Sequence, residues 1–146
     1  MADAVAALHR FGTQRDRLRA ALARRLRLPL NDLDALEHLE LAGPLSQRDL
    51  ADRLLLTSGA VTLLVDRLAG AGLVERRQHP TDRRVSLVAL AADPALPDVP
   101  ELDRYHAAVR AAAGALSGPA REAVSGFLDA AARAATEATR ELREPG

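Results

Sequence analysis

Residues 45–90, "LSQRDLADRLLLTSGAVTLLVDRLAGAGLVERRQHPTDRRVSLVAL", change their hydrophobic period once, and that change decides the fold. "SQRDLADRL" opens with Ser46 three residues before Asp49, a spacing that caps the first turn of a helix, and Leu50, Ala51 and Leu54 give that helix an apolar face. After Leu55 and Leu56 comes a second cap candidate, Thr57. The helix it opens places Ala60, Val61, Leu64 and Leu68 on one side and Ser58, Gly59, Thr62 and Asp66 on the other, until Gly70 and Gly72 close it. "LVERRQ" and "VSLVAL" are then short runs of β-branched and apolar residues around a polar, proline-containing turn, which reads as a β-hairpin. A capped helix, a tight turn, a second helix and an arginine-tipped hairpin make a winged helix-turn-helix.

Outward from this core the chain reads as helical. Residues 3–28 carry Leu8, Phe11, Leu18, Leu22 and Leu26 at helical spacing, with Arg15 intruding on the stripe, and Pro29 stops the helix. "NDLDALEHLELAG" predicts a second helix with Asn31 as its cap, Leu33, Leu36, Leu39 and Leu41 as its buried side, and Gly43-Pro44 as its stop. "AADPALPDVPELD" holds three prolines and reads as a surface connection. Beyond it, residues 99–116 form a helix capped by Asp98 with Glu101 that buries Leu102, Tyr105, Val109 and Leu116. A last helix over 119–144 starts at Pro119. In that helix Val124, Leu128, Ala131, Ala135, Ala138 and Leu142 are spaced four, three, four, three, four. That is the pattern of a helix–helix seam, and its alanines allow close approach, so a dimer contact is preferred over packing within the chain. Leu8 and Phe11 are expected to join it. The fold class is therefore mainly α, an α+β winged helix-turn-helix with a two-stranded wing and N- and C-terminal dimerisation helices. It is read as a single domain over 1–146, with a winged helix-turn-helix lobe at 31–92 and a dimerisation lobe made of 1–28 and 99–146.

Composition narrows the function. The chain has no cysteine, which excludes disulfides, thiolate chemistry and cysteine-ligated zinc. No N-terminal apolar stretch of signal-peptide length is present, so a cytoplasmic protein without membrane contact is expected. Twenty arginines balance twenty acids, a neutral sum that argues against a polyanion partner, but the distribution is uneven. Four arginines fall between Arg76 and Arg84 against Asp82 alone, and seven between Arg10 and Arg27 against Asp16 alone. The second group, on a helix with one apolar stripe, reads as a solvated face or as partner to acids of a second subunit. His9, His38, His79 and His106 are scattered, so no metal site is expected, nor any other cofactor. Ser58 in "TSGAV" lacks the second glycine of a nucleophile elbow, and no acid–base pair stands out, so the protein does not read as an enzyme.

The helix opened by Thr57 suits the major groove. Ser58, Gly59 and Thr62 are small enough for its N-terminus to enter, the hydroxyls of Ser58 and Thr62 can meet base edges, and its first backbone amides can meet phosphate. The arginine-tipped hairpin then reaches the flanking backbone or the minor groove, where negative potential is concentrated. The stretch resembles the DNA-binding lobe of the MarR (multiple antibiotic resistance regulator) family, through "TSGAVT", "VDRLAGAGLVERR" and "PTDRR". The family's wing motif is aspartate, any residue, arginine, five more residues, then Leu-Thr; here Asp82, Arg84 and Leu90 fall in register and Ala91 replaces the threonine. The resemblance implies that Arg84 enters the minor groove and that Asp82 shapes the wing by pairing with a neighbouring arginine. Thr57, Ser58, Gly59, Thr62, Leu63, Arg67, Arg77, Arg83 and Arg84 are the expected DNA-binding residues. Leu63 stands where the family often has a polar or basic residue, which points toward contact with thymine methyls. The resemblance further implies a homodimer on double-stranded operator DNA with a pseudo-palindromic sequence, acting as a repressor relieved by a small-molecule effector. The rival reading is a winged-helix protein-interaction module without DNA binding.

Overall fold

A computed structural model describes residues 3–143. The chain forms two compact units that divide between Pro97 and Asp98.

In the first unit, Asp3 caps α1 (Ala4–Leu26), its Oδ1 accepting from the backbone N–H groups of Val5 and Ala6 at 3.0 and 3.1 Å. The helix stops at Arg27, which adopts a left-handed conformation (φ 55°), two residues ahead of the proline expected to stop it. Pro29 instead precedes α2 (Leu30–Ala42) as its N-cap residue, and its carbonyl accepts from Asp32 and Leu33, both at 3.1 Å. This corrects the expectation for Asn31, which lies inside the first turn; the restricted φ of proline presets the helix entry without a side-chain cap. Leu33, Leu36 and Leu39 are buried as expected, but Leu41 is 85% exposed, because two residues past Leu39 the helix has turned about 200°. Arg15 and Arg19 of α1 pair with Glu37 of α2, each at 3.3 Å, and Arg19 also pairs with Asp34. Two of the N-terminal arginines thus find their acids within the same unit.

Ser46 caps α3 (Gln47–Leu54), accepting from the Asp49 N–H at 3.0 Å, and Thr57 caps α4 (Ser58–Gly70), accepting from Ala60 at 3.2 Å. Between them Leu55 takes a left-handed conformation (φ 57°), and the N–H of Leu56 returns to the carbonyl of Ala51 at 3.0 Å, closing the turn. The wing is β2 (Val74–Gln78) antiparallel to β3 (Ser86–Leu90), with Val74 opposite Leu90 and Gln78 opposite Ser86. A third, two-residue strand, β1 (Leu45–Ser46), pairs with the other edge of β3, giving the order β1-β3-β2. Leu36, Leu39, Leu45, Leu50, Val61, Leu64, Val65, Leu68, Leu73, Val74 and Val88 close into one core beneath α4 and the sheet. Burying these side chains, at roughly 1.5–3 kcal/mol each, holds the two short helices and the hairpin in one body.

The second unit holds α5 (Pro100–Gly114) and α6 (Gly118–Arg143). Val99 precedes α5 with no side-chain hydrogen bond, so Asp98 and Glu101 do not cap it; Pro100 begins it as a first-turn residue. Ser117 accepts from the Ala120 N–H at 3.3 Å at the start of α6, one residue before the expected Pro119; the expected end at Glu144 lies outside the described residues. Burial of Leu102, Tyr105, Val109 and Leu116 is not achieved: Leu102, Tyr105 and Leu116 are half-buried, Val109 is exposed, and no residue of either helix is buried. Two helices alone cannot cover each other's apolar faces. Among the described residues, no helix is long and apolar enough to cross a membrane.

Candidate nucleic-acid interface

The outer face of α4 follows from what its inner face buries. Val61, Leu64, Val65 and Leu68 point into the core, so Ser58, Gly59, Thr62, Leu63 and Asp66 are left in solvent, Leu63 at 67% exposure. The hydroxyl of Thr57 is committed to its own helix as the cap. Thr62 Oγ1 donates to the Ser58 carbonyl at 2.8 Å and accepts from Gln47 Nε2 of α3 at 2.7 Å. Its proton is therefore spent within the protein, and toward a ligand it offers only a remaining lone pair. Gln47 is a residue that sequence reasoning missed: nothing in the pattern of α3 reveals that its amide reaches across to α4.

Arg67 lies in the last turn of α4 with its guanidinium turned to α2. Nε donates to Asp32 Oδ2 at 2.8 Å and Nη2 to Oδ1 at 2.6 Å, a bidentate pair with a carboxylate that is fully buried. Hydrogen bonding to Asp32, followed by its charge, raises the Arg67 pKa against a small opposing effect of desolvation. This arginine clamps α4 to α2. Asp32, the only buried charged residue among those described, carries no sequence signal, because an aspartate in a first turn also serves the helix dipole at the surface.

The four wing arginines divide by partner. Arg76 pairs with Asp66 of α4, tying hairpin to helix, and Arg77 pairs with Glu75 on its own strand. Arg84 is 95% exposed, with Nε 3.9 Å from Asp82 Oδ1, and Arg83 is exposed beside it. Asp82 engages Arg84 chiefly through the backbone, its Oδ1 accepting the Arg84 N–H at 3.0 Å. His79 Nδ1 faces the backbone of the same turn. Ser58, Leu63, Arg83 and Arg84 thus present their side chains to solvent from one unit, on α4 and on the hairpin packed against it.

On α1, Leu8 is half-buried and Phe11 exposed. On α6, Val124, Leu128, Ala135, Ala138 and Leu142 are exposed and Ala131 is half-buried, with Phe127 exposed on the same helix. Among the described residues no group of three or more His, Cys, Asp or Glu side chains is placed to hold a metal ion.

Comparison with known proteins agrees with this geometry. Residues 28–86 match the model of the MarR family. The HTH-type transcriptional regulator YcgE of Bacillus subtilis (strain 168) is 40% identical over 90 residues, 61% of this chain and 58% of its own length, so the match spans little more than half of that relative. The crystal structure of RV1404 from Mycobacterium tuberculosis superposes with a TM-score of 0.56 at 25% identity, covering 92% of this chain and 96% of that one. A point mutant of S. aureus MepR bound to an oligodeoxyribonucleotide shares the fold with a TM-score of 0.52 at 16% identity, over 91% of this chain and 99% of that one. The MarR-family model thus matches the stretch of the chain that holds α2, α3, α4 and β2, the body of the winged helix.

Proposed function

We propose that the protein is a sequence-specific, DNA-binding transcriptional regulator that acts in the cytoplasm as a homodimer, each subunit placing α4 in a major groove and the Arg84 wing beside it. The observation that carries this reading is the pairing of a small-residue helix N-terminus, whose outer face is free of core duty, with an exposed arginine hairpin tied to it through Arg76 and Asp66. The MarR-family match and the nucleotide-bound MepR neighbour support it.

Dimerisation rests on α6. It is a 26-residue helix whose row of Val124, Leu128, Ala131, Ala135, Ala138 and Leu142 contains no buried residue, and a helix that long with an apolar stripe gains most of its stability from covering that stripe. A second copy of the chain supplies the cover. A pseudo-palindromic operator follows from the two-fold symmetry of such a dimer. Repression relieved by a small molecule is the mode proposed from the family, with an effector that binds one spacing of the two reading heads better than another.

The test is fluorescence anisotropy with duplex DNA from upstream of the protein's own gene and with a scrambled duplex, at two salt concentrations. Preference for the native duplex, weakening steeply with salt as counterions are released, supports the reading. Absence of binding to either duplex at low salt overturns it in favour of a protein-interaction module.

A further inference from the structure

We propose that His79 is a positioning residue of the wing, holding the tip in the conformation that presents Arg84; the proposal rests on the DNA-binding reading above. The tip is the seven-residue connection from His79 to Val85, closed at its base by the His79 N–H donating to the Val85 carbonyl at 3.0 Å and by the Val85 N–H donating to the Asp82 carbonyl at 3.1 Å. Within it, His79 Nδ1 accepts from the backbone N–H of Asp82 at 3.1 Å and of Thr81 at 3.2 Å, with Thr81 Oγ1 at 3.3 Å. Two backbone donors converging on one ring nitrogen assign it as the unprotonated acceptor, so the ring carries its proton on Nε2.

The consequence runs along the chain. The ring fixes the amide of Asp82, the Asp82 carboxylate accepts the Arg84 N–H at 3.0 Å, and Arg84 leaves the turn with its side chain in solvent. Asp82 alone sets only the step from 82 to 84. His79 anchors Thr81 and Asp82 to the end of β2, and so to the sheet. A flexible arginine gives up conformational entropy on entering a groove, and a turn already held in place reduces the part of that cost that falls on the backbone.

The side-chain chemistry supplies a discriminating experiment. Asparagine carries an acceptor oxygen on Cγ, where histidine carries Nδ1, while leucine fills similar space with no acceptor. Full-length wild type, His79→Leu and His79→Asn are compared in duplex anisotropy, alone and combined with Arg84→Ala, with backbone amide exchange of Thr81 and Asp82 measured in parallel by NMR. His79→Leu is expected to weaken DNA binding roughly threefold to tenfold, the worth of one or two exposed hydrogen bonds, and to speed exchange of both amides. His79→Asn restores both. In the Arg84→Ala background, His79→Leu costs little more, because it acts through the residue already removed. Wild-type affinity and exchange in His79→Leu, an asparagine variant no better than leucine, or losses that simply add would overturn the proposal. If wild type binds neither duplex, the DNA-binding reading falls, and with it the link from His79 to a DNA contact, while amide exchange still decides whether the ring holds the turn.

Discussion

Arg84→Ala separates fold from function. The side chain is 95% exposed, and its nearest acid, Asp82, lies 3.9 Å away, where an exposed ion pair contributes about 0–1 kcal/mol. The Asp82–Arg84 bond that shapes the turn uses the backbone N–H, which alanine retains. The unfolding free energy from urea titration is therefore expected to change by no more than about 0.5 kcal/mol. Binding is different, because one well-placed arginine contact is worth about 1–3 kcal/mol, and the proposed dimer, carrying the change in both subunits, would lose it twice, about 2–6 kcal/mol. Anisotropy against the upstream duplex reads the loss and urea unfolding followed by circular dichroism reads the control. Unchanged affinity at unchanged stability would refute the reasoning and remove the wing from the interface. A loss of affinity matched by a loss of stability would show that Arg84 serves the fold.

Further outcomes follow from individual contacts. Ala135→Glu places a bulky charge in the α6 row and is expected to give monomers in sedimentation; an intact dimer would return that row to packing within one chain. Thr57→Ala removes the cap of α4 and should cost about 1 kcal/mol in urea unfolding, with an undiminished midpoint counting against the cap. His38 has its pKa lowered, first by burial and then by Arg53, with Glu37 opposing and Arg19 adding to the effect. The folded state thus binds its proton less readily than the unfolded chain does. Stability from this site is complete above the ordinary histidine pKa of about 6.5 and declines as pH falls through the lowered folded value. His38→Gln should flatten a urea-midpoint profile between pH 7.5 and 5, and an unaltered slope would assign the decline to other groups. Arg67→Ala leaves the Asp32 carboxylate buried without a partner, so it should destabilise more than the double change Arg67→Ala with Asp32→Asn. Equal midpoints would mean that water reaches Asp32 once the arginine is gone.

Where local chemistry suffices, sequence and structure agree. Ser46 and Thr57 cap the helices assigned to them, and the shift from helical to alternating period locates the wing. The discrepancies have identifiable causes. Arg27 and Leu55 end helices in left-handed conformations with side chains that give no notice of it, so the sequence points to Pro29 as the first stop and marks the tight turn before Thr57 without showing that Leu55 makes it. Strand β1 is two residues long and carries no alternation to detect; it exists because β3 offers it an edge. Leu102, Tyr105 and Val109 repeat as a buried face does, but periodicity says only that a face is apolar. What covers it depends on neighbours that sequence spacing cannot place. At the candidate interface, composition marked which residues are small or basic, yet the division of the arginines into Arg67, Arg76 and Arg77, which have acidic partners, and Arg83 and Arg84, which extend into solvent, depends on acids up to 35 residues away.

Those same contacts constrain how the protein can be regulated. Asp32 ties α2 to α4, Gln47 ties α3 to α4, and Asp66 ties α4 to the wing, so helix and hairpin are cross-linked by polar pairs above a shared apolar core. Deforming this body would break several of these contacts together, since packed interiors switch between discrete arrangements and do not bend continuously. An effector that binds with an ordinary coupling energy of about 1–3 kcal/mol does not reach that cost. Within the proposed dimer, the proposed effector would therefore act on the distance and angle between two intact reading heads, and substitutions that alter the response to it should fall outside residues 45–90. The wing tip differs from that body: its hydrogen bonds run within the turn and to the strand ends, so it reshapes at lower cost than the cross-linked helices.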